Sequence, residues 1–114
     1  MRDRRRADRR RYFWFADWVA RVKESQIESY FVDRVRVAGG IQRKFVSPGR
    51  KGVPDRIVGF PVERFALVEL KATGGKPRDD QVREHKRWRK LGFCVVVINS
   101  LQHVDSFIEF MTRP

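Results

Sequence analysis

A chain of 114 residues, 41% hydrophobic and 35% charged, is long enough for one packed core and too short for two. A formal charge of +12 and a pI near 11.0 make a polyanion, nucleic acid above all, the default partner. No apolar run approaches the roughly 18 residues of a membrane span, and a single cysteine, Cys94, excludes an internal disulfide and a cysteine-rich zinc site.

Residues 1–11 carry seven arginines against two aspartates and read as a basic arm, disordered by itself. The rest of the positive charge is spread over the remaining chain, so the folded part is basic too. Asp17, Arg21 and Lys23 interrupt the aromatic patch that follows, so no signal peptide is expected and a reducing cytoplasm fits. Phe15, Trp18, Val19 and Val22 recur at helical spacing, which predicts a helical extension at the start of a single domain spanning 12–114.

Ser25-Gln26-Ile27-Glu28 has the pattern of a capping box, and Ile27, Tyr30, Phe31, Val35 and Ala38 continue it with helical period to a stop at Gly39-Gly40. Three strands are expected next: Ile41 to Val46, Asp55 to Phe60 and Phe65 to Lys71. The first two are separated by a basic loop, Ser47 to Gly52, and the last two by a turn at 61–64. A loop from Ala72 to Arg78 leads to a helix capped by Asp79 or Asp80 that runs to Leu91, with Trp88 and Leu91 as its buried stripe and His85 on its surface. Phe93 to Ile98 is apolar throughout, as a strand buried on both faces would be, and Val104, Phe107, Ile108 and Met111 mark a last amphipathic helix. The fold class is α/β, with a mixed sheet flanked by helices in the order α-β-β-β-α-β-α.

Antiparallel partners across a turn have residue numbers of constant sum. A turn centred near Val62 gives a sum of about 124 and sets Asp55 opposite Glu69. Opposite residues share a face, and Lys71, two positions on, shares it as well. Two carboxylates so placed suit Mg²⁺ or Mn²⁺, and a lysine beside them can position water or stabilise a charged phosphoryl transition state, which together fit phosphodiester hydrolysis. Glu-x-Lys alone is a common triplet, and the plain alternative is an exposed charged hairpin end. Glu69 lies among Leu67, Val68 and Leu70, however, where a carboxylate needs a partner or a cation. Lys44, Arg50, Lys51, Lys76 and Arg78 sit at strand ends or in loops flanking this site, where they can meet phosphates.

The ordered set Gly39-Gly40, Lys44 to Gly49, Gly52-Val53-Pro54-Asp55, Glu69-Leu70-Lys71 and Gln81, with Glu28 on the first helix, resembles the VRR-NUC group of the PD-(D/E)xK nucleases, in particular its short stand-alone viral and prophage members. The similarity spans about Ser25 to Asn99. It implies a restriction-endonuclease-like core, with Asp55, Glu69 and the carbonyl of Leu70 as metal ligands and Lys71 as the catalytic lysine. It further implies that Glu28 reaches the metal or its water shell, and that Gln81 orients water or phosphate. Glu28 has an equal rival reading as a capping residue. Homodimers acting on branched DNA, including four-way junctions, in a bacterial or phage-infected cell are also implied. The competing functions are a non-catalytic nucleic-acid-binding module, an interaction protein using the aromatic segment, and a flap or nicking endonuclease.

Overall fold

The computed structural model describes residues 21–114. The basic arm, and the expected helix over 12–22 except for its last two residues, lie outside them. The described elements are α1 (Glu24–Val37), β1 (Ile41–Lys44), β2 (Arg56–Phe60), β3 (Arg64–Leu70), α2 (Asp79–Lys90), β4 (Cys94–Ile98) and α3 (Leu101–Met111). The order is the expected one. The sheet runs β1-β2-β3-β4, with β1, β2 and β3 antiparallel and β4 parallel to β3 through the α2 crossover.

The three-residue turn Pro61-Val62-Glu63 sets Phe60 opposite Arg64, and the register then runs up to Arg56 opposite Val68. The expected sum is therefore the observed one. Side-chain alternation sends Val58, Phe60, Ala66, Val68 and Leu70 to one face, where Ile27, Phe31 and Val35 of α1 and Val104, Phe107 and Met111 of α3 complete the core. The Phe107 ring lies 6.1 Å from that of Phe31 and 6.2 Å from that of Phe60, which joins both helices to the sheet.

Several local expectations are corrected. The first helix begins at Glu24, with Lys23 as N-cap; Gln26 Oε1 accepts the Lys23 N–H at 3.1 Å, so the Ser25–Glu28 capping box does not form. The second is entered through Arg78 rather than an aspartate, and its buried stripe is Gln81, Glu84 and His85, while Leu91 is exposed. The strand buried on both faces is β3, whose residues Ala66 to Leu70 are all buried, whereas β4 is an edge strand with Cys94, Val96 and Val97 half-buried.

The hairpin turn contains no glycine, yet Val62 (φ 66°) and Glu63 (φ 57°) both occupy the left-handed region. That conformation is costly for a β-branched residue, so the strands, not the turn, hold the register. Val62 is 83% exposed and loses little burial on replacement. Val62→Asn is expected to raise stability by about 1 kcal/mol, read as a higher urea midpoint at unchanged slope; an unchanged or lower midpoint would show the turn to be unstrained.

Candidate active site

The pairing between β2 and β3 ends at Arg56 opposite Val68, one residue short of Asp55, whose carbonyl faces β1 and accepts the Phe45 N–H at 2.7 Å. The same sum of 124 carried one residue further sets Asp55 beside Glu69, whose charge is felt at Asp55. The Leu70 N–H is left on the same edge and hydrogen bonds the Asp55 carboxylate. N–H and C=O of one strand residue project to the same edge, so the Leu70 carbonyl also belongs to this corner.

Glu69 is 5% exposed. Its Oε2 accepts from Gln81 Nε2 at 3.1 Å and lies 3.4 Å from Lys71 Nζ. The Gln81 amide is fixed at both ends, because its Oε1 caps α2 by accepting the Arg78 N–H at 2.8 Å. Asp55, Glu69, Lys71 and Gln81, singled out by sequence, are thus brought together. Asp55 Oδ1 and Glu69 Oε1 remain buried, with no hydrogen-bond partner among the described residues.

The electrostatics follow from this burial. Desolvation, then the neighbouring Glu69 charge, pushes the Asp55 carboxyl up from 3.8 to about 7, against the Leu70 amide and the Arg56 charge. Desolvation also raises Glu69, opposed first by Lys71 and then by Gln81.

Glu28 is engaged in an ion pair. Its Oε1 lies 2.7 Å from Arg56 Nη2, and Arg56, only 5% exposed, also donates to Gln42 Oε1 at 2.7 Å. This pair fastens α1 to the strand that begins beside Asp55. The acidic residue of α1 whose charge reaches both Asp55 and Glu69 is Glu24, one helical turn earlier. Among the described residues no group of three acidic, histidine or cysteine side chains is close enough to form a ligand cluster, so Glu24 contributes charge at a distance. Sequence reasoning missed Glu24 because the cap was set at Ser25; a cap at Lys23 puts Glu24 in the first turn, where acidic residues are favoured.

The basic residues divide in two. Lys44, Lys51 and Lys76 are exposed, with no ion pair among the described residues. Arg50 donates to Glu84 at 2.9 and 3.3 Å, and Arg78 lies 3.2 Å from Asp80. Glu84, also missed by sequence, additionally accepts from Arg87 and from the Trp88 indole. The basic loop is held against α2 at a second point: Gly52 has φ +87°, and a Cβ there would sit 2.6 Å from the Asp80 carbonyl. That close approach fixes the start of the Val53-Pro54-Asp55 segment. A groove of about 600 Å³ at the far, hairpin end of the sheet is lined by Phe65, Phe93 and Phe110 and contains none of the expected site residues.

Between about pH 4 and 7 the folded chain keeps a proton on Asp55 that the unfolded chain has lost. Stability of the metal-free protein therefore falls as pH rises through that window, and Glu69, also raised, adds in the same direction. In EDTA, the urea midpoint is expected to drop more from about pH 5 to about pH 8 in the wild type than in Asp55→Asn; equal drops would mean that Asp55 titrates as in the unfolded chain.

No family model matches the chain. It is 51% identical over 79 residues to "Putative nuclease p44" of Acyrthosiphon pisum secondary endosymbiont phage 1, across 69% of this chain and 85% of that protein. A solved structure described as a VRR_NUC domain aligns with a TM-score of 0.72 and 39% identity, covering 77% of this chain and 96% of the solved one.

Proposed function

The chain belongs to the VRR-NUC nuclease family, and on that premise we propose that it is a divalent-metal-dependent DNA endonuclease centred on Asp55, Glu69 and Lys71. The observation that carries this reading is the pair of buried, unpartnered oxygens on adjacent strands, Asp55 Oδ1 and Glu69 Oε1. A buried carboxylate oxygen needs a donor or a cation, and the described residues offer neither atom a donor. Two such oxygens, with the Leu70 carbonyl at the same edge, form a hard-oxygen set suited to Mg²⁺ or Mn²⁺. When bound, such an ion supplies an acidified water and offsets charge on the phosphate.

The chain's own groups have distinct tasks. The Leu70 amide and Gln81 hold one oxygen of each carboxylate, leaving the other to face the ion. Lys71 brings an ammonium to the same corner, able to orient water or a phosphate oxygen. Glu24 adds negative charge at the site, and Glu28, expected to reach the metal or its water shell, pairs with Arg56 and so anchors α1 beside the site. Lys44, Lys51 and Lys76 are free to meet phosphates; Arg50 and Arg78 would do so while tethered to Glu84 and Asp80.

A preference for branched DNA is the finer part of the proposal. Resolving a four-way junction takes two symmetric cuts, and a chain with one site obtains the second from a C2 homodimer. A purely nucleic-acid-binding module would share the basic surface, but would have no use for two buried carboxylates with orphaned oxygens.

The test is cleavage of labelled four-way junction, flap, single-stranded and linear duplex DNA in Mg²⁺, Mn²⁺ or EDTA. Cutting is expected only with metal, to vanish in Glu69→Ala, and to fall about 10- to 100-fold in Gln81→Ala. Tight binding without cutting under either metal would move the assignment to a binding module. For about six phosphate contacts, DNA affinity should drop roughly a thousandfold between 50 and 200 mM salt. Sedimentation at the assay concentration should give a dimer; a monomer would remove junction resolution and leave simple flap or nicking activity.

A further inference from the structure

Glu84 is buried on the inner stripe of α2, and the chemistry proposed for Asp55 and Glu69 does not use it. Two guanidiniums converge on one of its oxygens. Glu84 Oε1 accepts from Arg50 Nε and Nη2 at 3.3 and 2.9 Å and from Arg87 Nη1 at 3.0 Å, while Oε2 accepts from the Trp88 indole at 3.2 Å. Nitrogens that share one oxygen at such distances are close enough for a single further anion to bridge them.

The Arg50 guanidinium holds the Glu84 carboxyl below its ordinary range against the cost of burial, with Arg87 and Trp88 adding to that hold. The group therefore carries one negative charge against two positive ones. Glu84 is covered, but the side chains of Arg50 and Arg87 are 53% and 61% exposed. Arg50 spends two of its five N–H groups on Glu84 and Arg87 one, and the rest have no partner among the described residues.

The cluster stands beside the acidic corner. Glu84 follows Gln81 by three residues, which makes the two neighbours on one helix face, and Gln81 bonds Glu69. Arg50 comes from the loop that runs into Asp55, pinned at Gly52 against the Asp80 carbonyl. Ion pairs with solvated arginines add little to stability. What this one supplies is direction, because two long side chains are oriented before any partner arrives.

Resting on the nuclease reading, we infer that Arg50 and Arg87 form a two-pronged clamp for one backbone phosphate of the DNA beside the acidic corner, and that Glu84 is the positioning residue that holds both prongs. A phosphodiester suits the pair because guanidinium N–H donors match phosphate oxygens in geometry as well as charge.

The test is binding of a labelled DNA duplex in EDTA, read by fluorescence anisotropy at fixed salt and as the slope of log affinity against log salt. Glu84→Gln decides most, because two ideas give it opposite signs. It removes a negative charge, so general electrostatics would tighten binding to a polyanion. Loss of the shared anchor should instead weaken binding by about fivefold or more. Glu109→Gln, which alters an exposed carboxylate of α3, supplies the plain charge effect and should not weaken binding. Arg87→Gln should weaken binding by a similar factor and lower the salt slope by about one. Arg113→Gln, at the hairpin end of the sheet, should leave the slope unchanged. With both Arg50→Gln and Arg87→Gln in place, adding Glu84→Gln should cost nothing further. A Glu84→Gln protein that binds as Glu109→Gln does overturns the inference, as does an Arg87→Gln protein with the wild-type slope. So does a full Glu84→Gln loss that persists without the two arginines. If Glu84→Gln fails to fold, Arg87→Gln decides, since that side chain is exposed. Binding is measured without metal, so a wild type that cuts no DNA would remove the nuclease reading and leave this result standing.

Discussion

Two neighbouring carboxylates at the open end of a hairpin, Glu69 buried and Asp55 half-buried, are the constraint around which this structure is arranged. Like charges withdrawn from water at a strand-pair spacing oppose each other and resist ionisation. The fold offsets part of that cost with the Leu70 amide, the Gln81 amide and the Lys71 ammonium. The offset is incomplete, as the Asp55 value of about 7 and the two orphaned oxygens record. Holding the pair in place requires a rigid support, supplied by the packed strands beneath it and by the Glu28–Arg56 pair, which ties α1 to β2. It also requires the basic loop to pass against α2 at Gly52, where a side chain would meet the Asp80 carbonyl. A chain of the VRR-NUC nuclease family thus carries an acidic pair that folding alone would not favour.

The element order and the register of the hairpin were legible because both follow from periodicity, the strongest signal a single sequence contains. The face-sharing of Asp55, Glu69 and Lys71 needed only the centre of one turn, and Val62 marks it even though no glycine does. The start of α1 was not legible. Ser25 is intrinsically the better cap, yet the helix begins beyond Lys23, with Gln26 bonding back to the Lys23 N–H. The earlier start puts Glu24 in the first turn, and its charge reaches Asp55 and Glu69, while Glu28 pairs with Arg56. What decides the matter is tertiary: Arg56, buried under the strand, needs a counter-charge, and Glu28 supplies it. No local pattern announces a partner 28 residues away in a different element.

Helix α2 was misread for a more instructive reason. Its buried face was sought among apolar residues and assigned to Trp88 and Leu91, with His85 outside. The face that packs inward is Gln81, Glu84 and His85, with Trp88 half-buried against Phe93. The helix has an ordinary amphipathic period with the polarity of the inner stripe reversed, because that stripe faces a charged site rather than a hydrophobic core. Two of its three polar members have partners there: Gln81 bonds Glu69, and Glu84 accepts from Arg50, Arg87 and the Trp88 indole. Polar residues at helical spacing on a helix adjoining a candidate site are therefore better treated as a second layer of that site than as solvated surface.

The charge distribution joins these points. The chain as a whole is strongly positive, and its basic loops attract phosphate over a screening length of about 10 Å. At the centre the local field has the opposite sign, with Glu24 adding to Asp55 and Glu69. On the proposed reading, a phosphodiester drawn in by Lys44, Lys51 and Lys76 would meet carboxylates at the last few ångströms, where Coulomb repulsion in a partly desolvated site is largest. On the proposed reading a divalent cation reverses that final repulsion, and the coupling is reciprocal: the factor by which cation raises affinity for DNA is the factor by which DNA raises affinity for cation. The raised Asp55 value makes protons the third party to the same balance, since a protonated Asp55 repels neither phosphate nor cation strongly and ligates the cation poorly. Cation, DNA and proton then compete and cooperate through one pair of oxygens, which is why the chain can afford to leave them unpaired.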